Sequence, residues 1–135
     1  MSEAFTQTFT AAAQHIDELG HVNNAVWVQW IQDLATAHWD AVARPADHTA
    51  FFWVVVRHEI DYRGNIAVGE SVTGETWIDS PPKGAKSDRR VDFRNEAGKV
   101  IVSARTSWAM LDKQSQRLVR VRQELIAPFQ KENIG

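Results

Sequence analysis

The chain contains no cysteine among its 135 residues. A disulfide framework, a thiolate zinc site and a cysteine nucleophile are therefore excluded, and the composition fits a reducing compartment. Excess positive charge is also lacking: 15 Lys and Arg stand against 17 Asp and Glu, for a formal net charge of -2 and a pI near 6.2. A nucleic-acid partner calls for a basic surface, so none is expected. No apolar run reaches the roughly 18 residues of a membrane span. The start, "MSEAFTQTFTAAA", has neither the positive charge nor the apolar block of a signal peptide. The expectation is a soluble, cytoplasmic protein with no membrane partner.

What the chain does have is 44% hydrophobic residues and six tryptophans. That is enough for one domain with a core, spanning 1–135, and too little for two. From about Asn24 to Ala43 the positions Trp27, Trp30, Ile31, Leu34, His38 and Val42 recur at helical spacing. Arg44 and Pro45 form a plausible stop, and "RPADHT" reads as a loop. The run "FFWVVVRHEIDY" is rich in β-branched and aromatic residues, which predicts a strand covered on both faces at its start and ending near Gly64.

Three further strands follow, and a short one, "AFTQTFT", precedes the helix. In "ESVTGETWIDS" Val72, Gly74, Thr76 and Ile78 share a face. In "KSDRRVDFRN" Val91 and Phe93 do, and in "KVIVSARTSWAML" Val100, Val102, Ala104, Thr106, Trp108 and Met110 do. "SPPKG" and "NEAG" supply the turns between them. Connections this short favour antiparallel pairing. The expected class is α+β, an antiparallel sheet wrapped around a long central helix. Its open edges suggest pairing with a second copy. The tail "VRQELIAPFQ" starts like a helix that Pro128 opposes.

Just ahead of the helix stands "IDELGHVNNAVW". Asn23 or Asn24 suits a helix N-cap, Gly20 lets the loop bend, and Asp17 lies a few residues upstream. Unpaired N–H groups and the positive end of the helix dipole face whatever lies before the first turn. A carboxylate beside such an end can activate water or attack a carbonyl while the amides hold the oxyanion. The same spacing also describes a capped, solvated turn. Of His58 and Glu59, neighbours on one strand, only one can face a given pocket, and Glu59 is expected to pair with Arg57, Arg90 or Arg105. His15, His21 and His38 have no metal-site spacing, and no metal is expected.

The stretch "DELGHVNNAVWVQWIQ", with "HEIDYRGNIAVGESVTGETWI" and "SARTSWAMLD" after it, resembles the 4-hydroxybenzoyl-CoA thioesterase branch of the hotdog-fold acyl-CoA thioesterases. The resemblance runs from the first strand to Asp112, and "GHVNN" after an aspartate is its specific part. It implies a hotdog fold and hydrolysis of an acyl-CoA thioester without a cofactor. The catalytic carboxylate falls on Asp17 and the carbonyl-polarising backbone amide on Asn24. Some relatives carry a histidine or tyrosine in place of Asn24, and an acid/base role for that side chain does not transfer. Gly20, His21, Val22 and Asn23 would shape the loop around the substrate. Lys86, Ser87 and Arg89 lie where relatives contact the CoA nucleotide, although a charged, solvated edge explains them equally. The resemblance also implies a homodimer or a homotetramer made of two dimers. The alternative is a noncatalytic acyl-CoA binding or sensing domain.

Overall fold

The structure, a computed structural model, describes residues 4–130. Strand β1 (Phe5–Thr10) leads through one 3-10 turn to helix α1 (Asn24–Val42) and a short helix α2 (Pro45–Ala50). Strands β2 (Phe51–Tyr62), β3 (Ser71–Trp77), β4 (Lys86–Arg94) and β5 (Val100–Asp112) follow, then helix α3 (Gln123–Ile126) and a last 3-10 turn. The five strands form one sheet in the order β1-β3-β4-β5-β2, with every pairing antiparallel. The long helix lies along one face of it, as the sequence predicts.

Helix α1 begins where the Asn23 side chain accepts from the Ala25 N–H at 2.9 Å, which satisfies one of the donors a helix start leaves open. It buries Trp27, Trp30, Ile31, Leu34, Ala35 and His38. It stops at Ala43, because Arg44 precedes a proline and takes the extended conformation that such a position favours. The segment read as a loop is a correction: Pro45–Ala50 is helical. Pro45 occupies the first turn, where its missing N–H costs nothing, and Arg44 Nε donates to Asp47 Oδ2 at 2.9 Å. Six residues are too few to show a period.

Strand β2 also differs from expectation. It is an edge strand paired only with β5, so its aromatic start is half-buried rather than covered on both faces. Its register with β5 shifts between Val55 and Arg57, leaving Val56 as an extra residue. Phe51, Trp53 and Val55 face inward before the shift, His58 and Ile60 after it. Val54 and Val56 stand 40% and 49% exposed. The inward faces of β3, β4 and β5 carry the residues predicted for them except Val100: the register with β4 shifts between Phe93 and Arg94, which pairs Val100 with the exposed Arg94 and buries Ile101 instead.

The core has two apolar clusters. One joins the first half of α1 (Trp27, Trp30, Ile31, Leu34) to Phe9, Val72, Val91, Phe93 and Val102. The other joins the second half to Ile78, Met110 and the C-terminal segment through Leu125, Ile126 and Phe129. The helix lies close over β3 at Gly74. A Cβ there would stand 2.9 Å from Leu34 Cδ2, 2.9 Å from Phe93 Cε1 and 3.3 Å from Phe9 Cε2. Gly74→Ala should therefore overpack the core and cost about 1–3 kcal/mol in urea unfolding. An unchanged midpoint would show that the layers can part there. Among the described residues no helix is long and apolar enough to cross a membrane.

Candidate active site

The segment ahead of α1 is a small hairpin. Asn23 N–H donates to the His15 carbonyl at 2.9 Å, Ile16 bridges Val22, and Asp17 N–H donates to the His21 carbonyl at 2.8 Å. Asp17 thus sits at the tip, and its Oδ1 accepts from the Leu19 N–H at 2.9 Å and the His21 N–H at 3.3 Å. The other oxygen, Oδ2, has no hydrogen bond to a described residue. Gly20 closes the tip with φ +81, a conformation that L side chains rarely adopt. His21 is exposed and Val22 is buried. Asn65 fixes Val22 from below: its Oδ1 accepts from the Val22 N–H and its Nδ2 donates to the Val22 carbonyl, both at 3.1 Å.

At the base of this hairpin the helix starts. Asn23 caps Ala25 and its carbonyl accepts from Val26 at 2.9 Å. The Asn24 N–H has no partner among the described residues, and its side chain is exposed. An unpaired amide at the positive end of a 19-residue helix is a site for oxygen carrying negative charge. The structure therefore brings Asp17, Gly20, His21, Asn23 and the Asn24 amide into one loop and helix start.

The second predicted group divides. Lys86 is exposed, whereas Ser87 and Arg89 are buried on the helix-facing side of β4. Arg89 belongs to a polar belt between the two apolar clusters, which the sequence expectations omit. Its Nη1 donates to His38 Nδ1 at 2.8 Å and to Thr76 Oγ1 at 3.1 Å. Arg89 is also the register partner of Thr106, whose hydroxyl joins His58 Nδ1 at 2.9 Å. Thr106 in turn opposes His58 on β2. The guanidinium carbon lies 5.8 Å from the centre of the Phe129 ring. Strand parity carries the signal for this belt, since Arg89 shares its face with Val91 and Phe93. His58 points inward and Glu59 outward, where Arg57 Nη2 bonds it at 2.8 Å.

Burial pushes the Arg89 guanidinium down to about 10. Burial, reinforced by the Arg89 charge, lowers His38 from 6.5 to about 3. Because its folded pKa lies below the unfolded one, acidification protonates the unfolded chain first. The stability held by neutral His38 is complete above about pH 6.5 and is lost as pH falls toward about 3, at a limit of about 1.4 kcal/mol per pH unit. His38→Gln should flatten that slope between about pH 6 and 4, read by urea unfolding. The same slope in the variant would exclude His38 as its source.

The belt borders a cavity of about 290 Å³, near the small end of ligand pockets. Trp39, Phe51, Trp53, Trp108 and Phe129 give it aromatic walls, and Ser87 and Arg89 reach it from β4. The exposed Asp40 stands in its lining, bonded to His48 Nε2 at 2.8 Å. Ala35 and Trp39 lie roughly 16–22 Å along α1 from Asn24, at 1.5 Å rise per residue. Asp17, Gly20 and Asn24 do not line it. Within one protomer the hairpin and the cavity are separate sites.

Comparison with known proteins gives one family match: the model described as acyl-ACP thioesterase N-terminal domain matches residues 2–129. No curated protein matches the chain. Among solved structures, an acyl-ACP thioesterase from Bacteroides thetaiotaomicron is 21% identical with a TM-score of 0.81, covering 95% of this chain and 54% of that one. A hypothetical protein from Staphylococcus aureus, solved in complex with CoA, is 14% identical with a TM-score of 0.85, covering 100% of this chain and 90% of that one. A probable thioesterase from Escherichia coli is 20% identical with a TM-score of 0.75, covering 90% of this chain and 92% of that one. The chain thus spans about half the length of the Bacteroides enzyme. The antiparallel sheet around one long helix is the hotdog fold.

Proposed function

The chain belongs to the acyl-ACP thioesterase N-terminal domain family, and from that membership we propose that it hydrolyses an acyl-CoA thioester to a free carboxylic acid and CoA. The observation that carries the reading is the open Asn24 N–H at the start of α1, on the hairpin whose tip presents Asp17. The thioester carbonyl oxygen accepts from that amide, which holds the negative charge of the tetrahedral intermediate. Asp17 Oδ2 either takes the proton from an attacking water or attacks the carbonyl carbon itself. In the second route a mixed anhydride forms, CoA leaves as thiolate, and water cleaves the anhydride. Both routes end in the same products and require no cofactor.

The choice of CoA as carrier draws support from the "GHVNN" resemblance to the 4-hydroxybenzoyl-CoA thioesterase branch and from the CoA bound to the Staphylococcus aureus relative. The β2 edge, 12 residues long with no strand on its outer side among the described residues, supports pairing of the single hotdog unit into a homodimer or a homotetramer. The decisive assay is release of free thiol from short, medium, long and aromatic acyl-CoAs, on protein whose mass is set by light scattering. With no cysteine in the chain, the protein adds no thiol signal of its own. Turnover by a particle of two or four chains is expected. A monomer would overturn the pairing, and no release from any substrate would overturn the hydrolysis.

One observation favours a second reading, a noncatalytic acyl-CoA binding or sensing domain. Asp17 Oδ1 is already engaged by two amides of its own loop, as in a purely structural turn. Tight stoichiometric acyl-CoA binding without thiol release would select it.

A further inference from the structure

The cavity beneath β2 has aromatic walls, with Thr36, Asp40, His48 and Lys113 also in its lining, and where β4 and β5 border it two buried polar atoms lack partners among the described residues. Ser87 Oγ and Trp108 Nε1 are buried without a hydrogen bond among the described residues. Beside them Arg89, only 7% exposed, has no carboxylate partner among the described residues. Its Nη1 is satisfied by His38 and Thr76, both uncharged, while its Nε and Nη2 make no hydrogen bond to a described residue. Buried polar atoms nearly always have partners, and an uncompensated buried charge is more costly still. Two such atoms beside a buried guanidinium without a counter-charge point to a ligand.

The chemistry of that ligand follows from the donors. A guanidinium and an indole N–H can only donate, and a hydroxyl can. Together they call for an acceptor that carries negative charge. A carboxylate fits the guanidinium fork with two parallel bonds. The aromatic walls favour an apolar body for the rest of the molecule, and about 290 Å³ accommodates a small ring or a short chain. We propose that this cavity binds a carboxylate on an aromatic or short aliphatic body, with Arg89 as its counter-charge and Ser87 and Trp108 as flanking donors. The acidic lining residue, Asp40, is exposed and engaged by His48, so it does not neutralise Arg89.

Such a carboxylate has two sources, a free acid or the far end of an acyl group. Calorimetric titration of the whole chain with benzoate and hexanoate, against benzamide and hexanamide, tests the site without turnover. The acids should bind at least about tenfold tighter than the amides, the usual worth of a charge-assisted bond, and Arg89→Met should erase that preference. Equal binding of acid and amide, no acid binding, or an undiminished preference in folded Arg89→Met would overturn the proposal. Should Arg89→Met not fold, Trp108→Phe and Ser87→Ala remove a donor each without touching the charge. Acid affinity unchanged in both would overturn it equally.

The source is read from kcat/KM for adipyl-CoA against hexanoyl-CoA. Preference for adipyl-CoA, lost in Arg89→Met, assigns the cavity to the acyl end; benzoate and hexanoate binding without it assigns it to a free acid. This arm alone rests on the thioesterase reading. Absent turnover with intact acid binding would overturn the hydrolysis and support the site.

Discussion

Asp17→Asn should lower the thioesterase kcat by about 10²–10⁴-fold, the range for loss of a positioned general base, and leave the fold intact. The reason lies in how the tip is built. Asn keeps an oxygen that can accept from the Leu19 and His21 amides, so the loop retains both bonds and Gly20 its turn. What disappears is the negative charge on the second oxygen, the one free to meet water or the thioester. KM should move little, because the carbonyl still meets the Asn24 amide. A companion variant tests that amide. Asn24 is the first residue of α1, a position where proline is tolerated, and Asn23 already has the extended backbone that a following proline requires. Asn24→Pro thus deletes one N–H and keeps the helix, with an expected loss of about 10²–10³-fold in kcat. Full activity in folded Asp17→Asn would exclude the acid; full activity in folded Asn24→Pro would exclude the amide.

Much of this arrangement is legible in the order of residues alone. The period of tryptophans and aliphatics locates α1, and the Asn pair locates its start, because capping and amphipathicity are local. Alternation likewise separates His58, which faces inward, from Glu59 beside Arg57. What escapes depends on distance in sequence or on residue type. The short α2 has no period to detect. The bulge at Val56 rephases β2 through its pairing with β5, which no window on β2 alone contains. Arg89 has the parity of Val91 and Phe93, yet arginine is almost never buried without a partner, so charge argues for the surface against position. The cavity needs Phe129 from the C-terminal segment against Trp39 from α1, a contact with no local signature. The loop bonds of Asp17 depend on the left-handed turn at Gly20, which "DELG" allows but does not dictate.

The largest effect on stability should come from Trp27→Ala, about 3–5 kcal/mol by urea unfolding. Trp27 is fully buried, one turn into α1, edge-on to Trp30 and to Phe93 with ring centres 5.2 Å apart in each case. Truncation opens a cavity where the helix meets β4, inside a cluster that also holds Phe9 and Val72. Domains of this kind unfold at a cost of about 5–15 kcal/mol, so the loss takes a fifth or more of the stability. Trp27→Phe separates packing from polarity. The Trp27 Nε1 is buried without a partner among the described residues, and phenylalanine removes that unsatisfied donor while filling most of the volume. The two terms oppose, and Trp27→Phe should stay within about 1.5 kcal/mol of wild type. Equal destabilisation by Ala and Phe would show that the indole N–H is bonded in solution; a small effect of Trp27→Ala would show that the first cluster can collapse around the gap. Because Trp27 lies under the turn that carries the Asn24 amide, Trp27→Phe also tests how rigidly that amide is held. If the amide works as proposed, kcat should follow the loosening of the helix start before KM does.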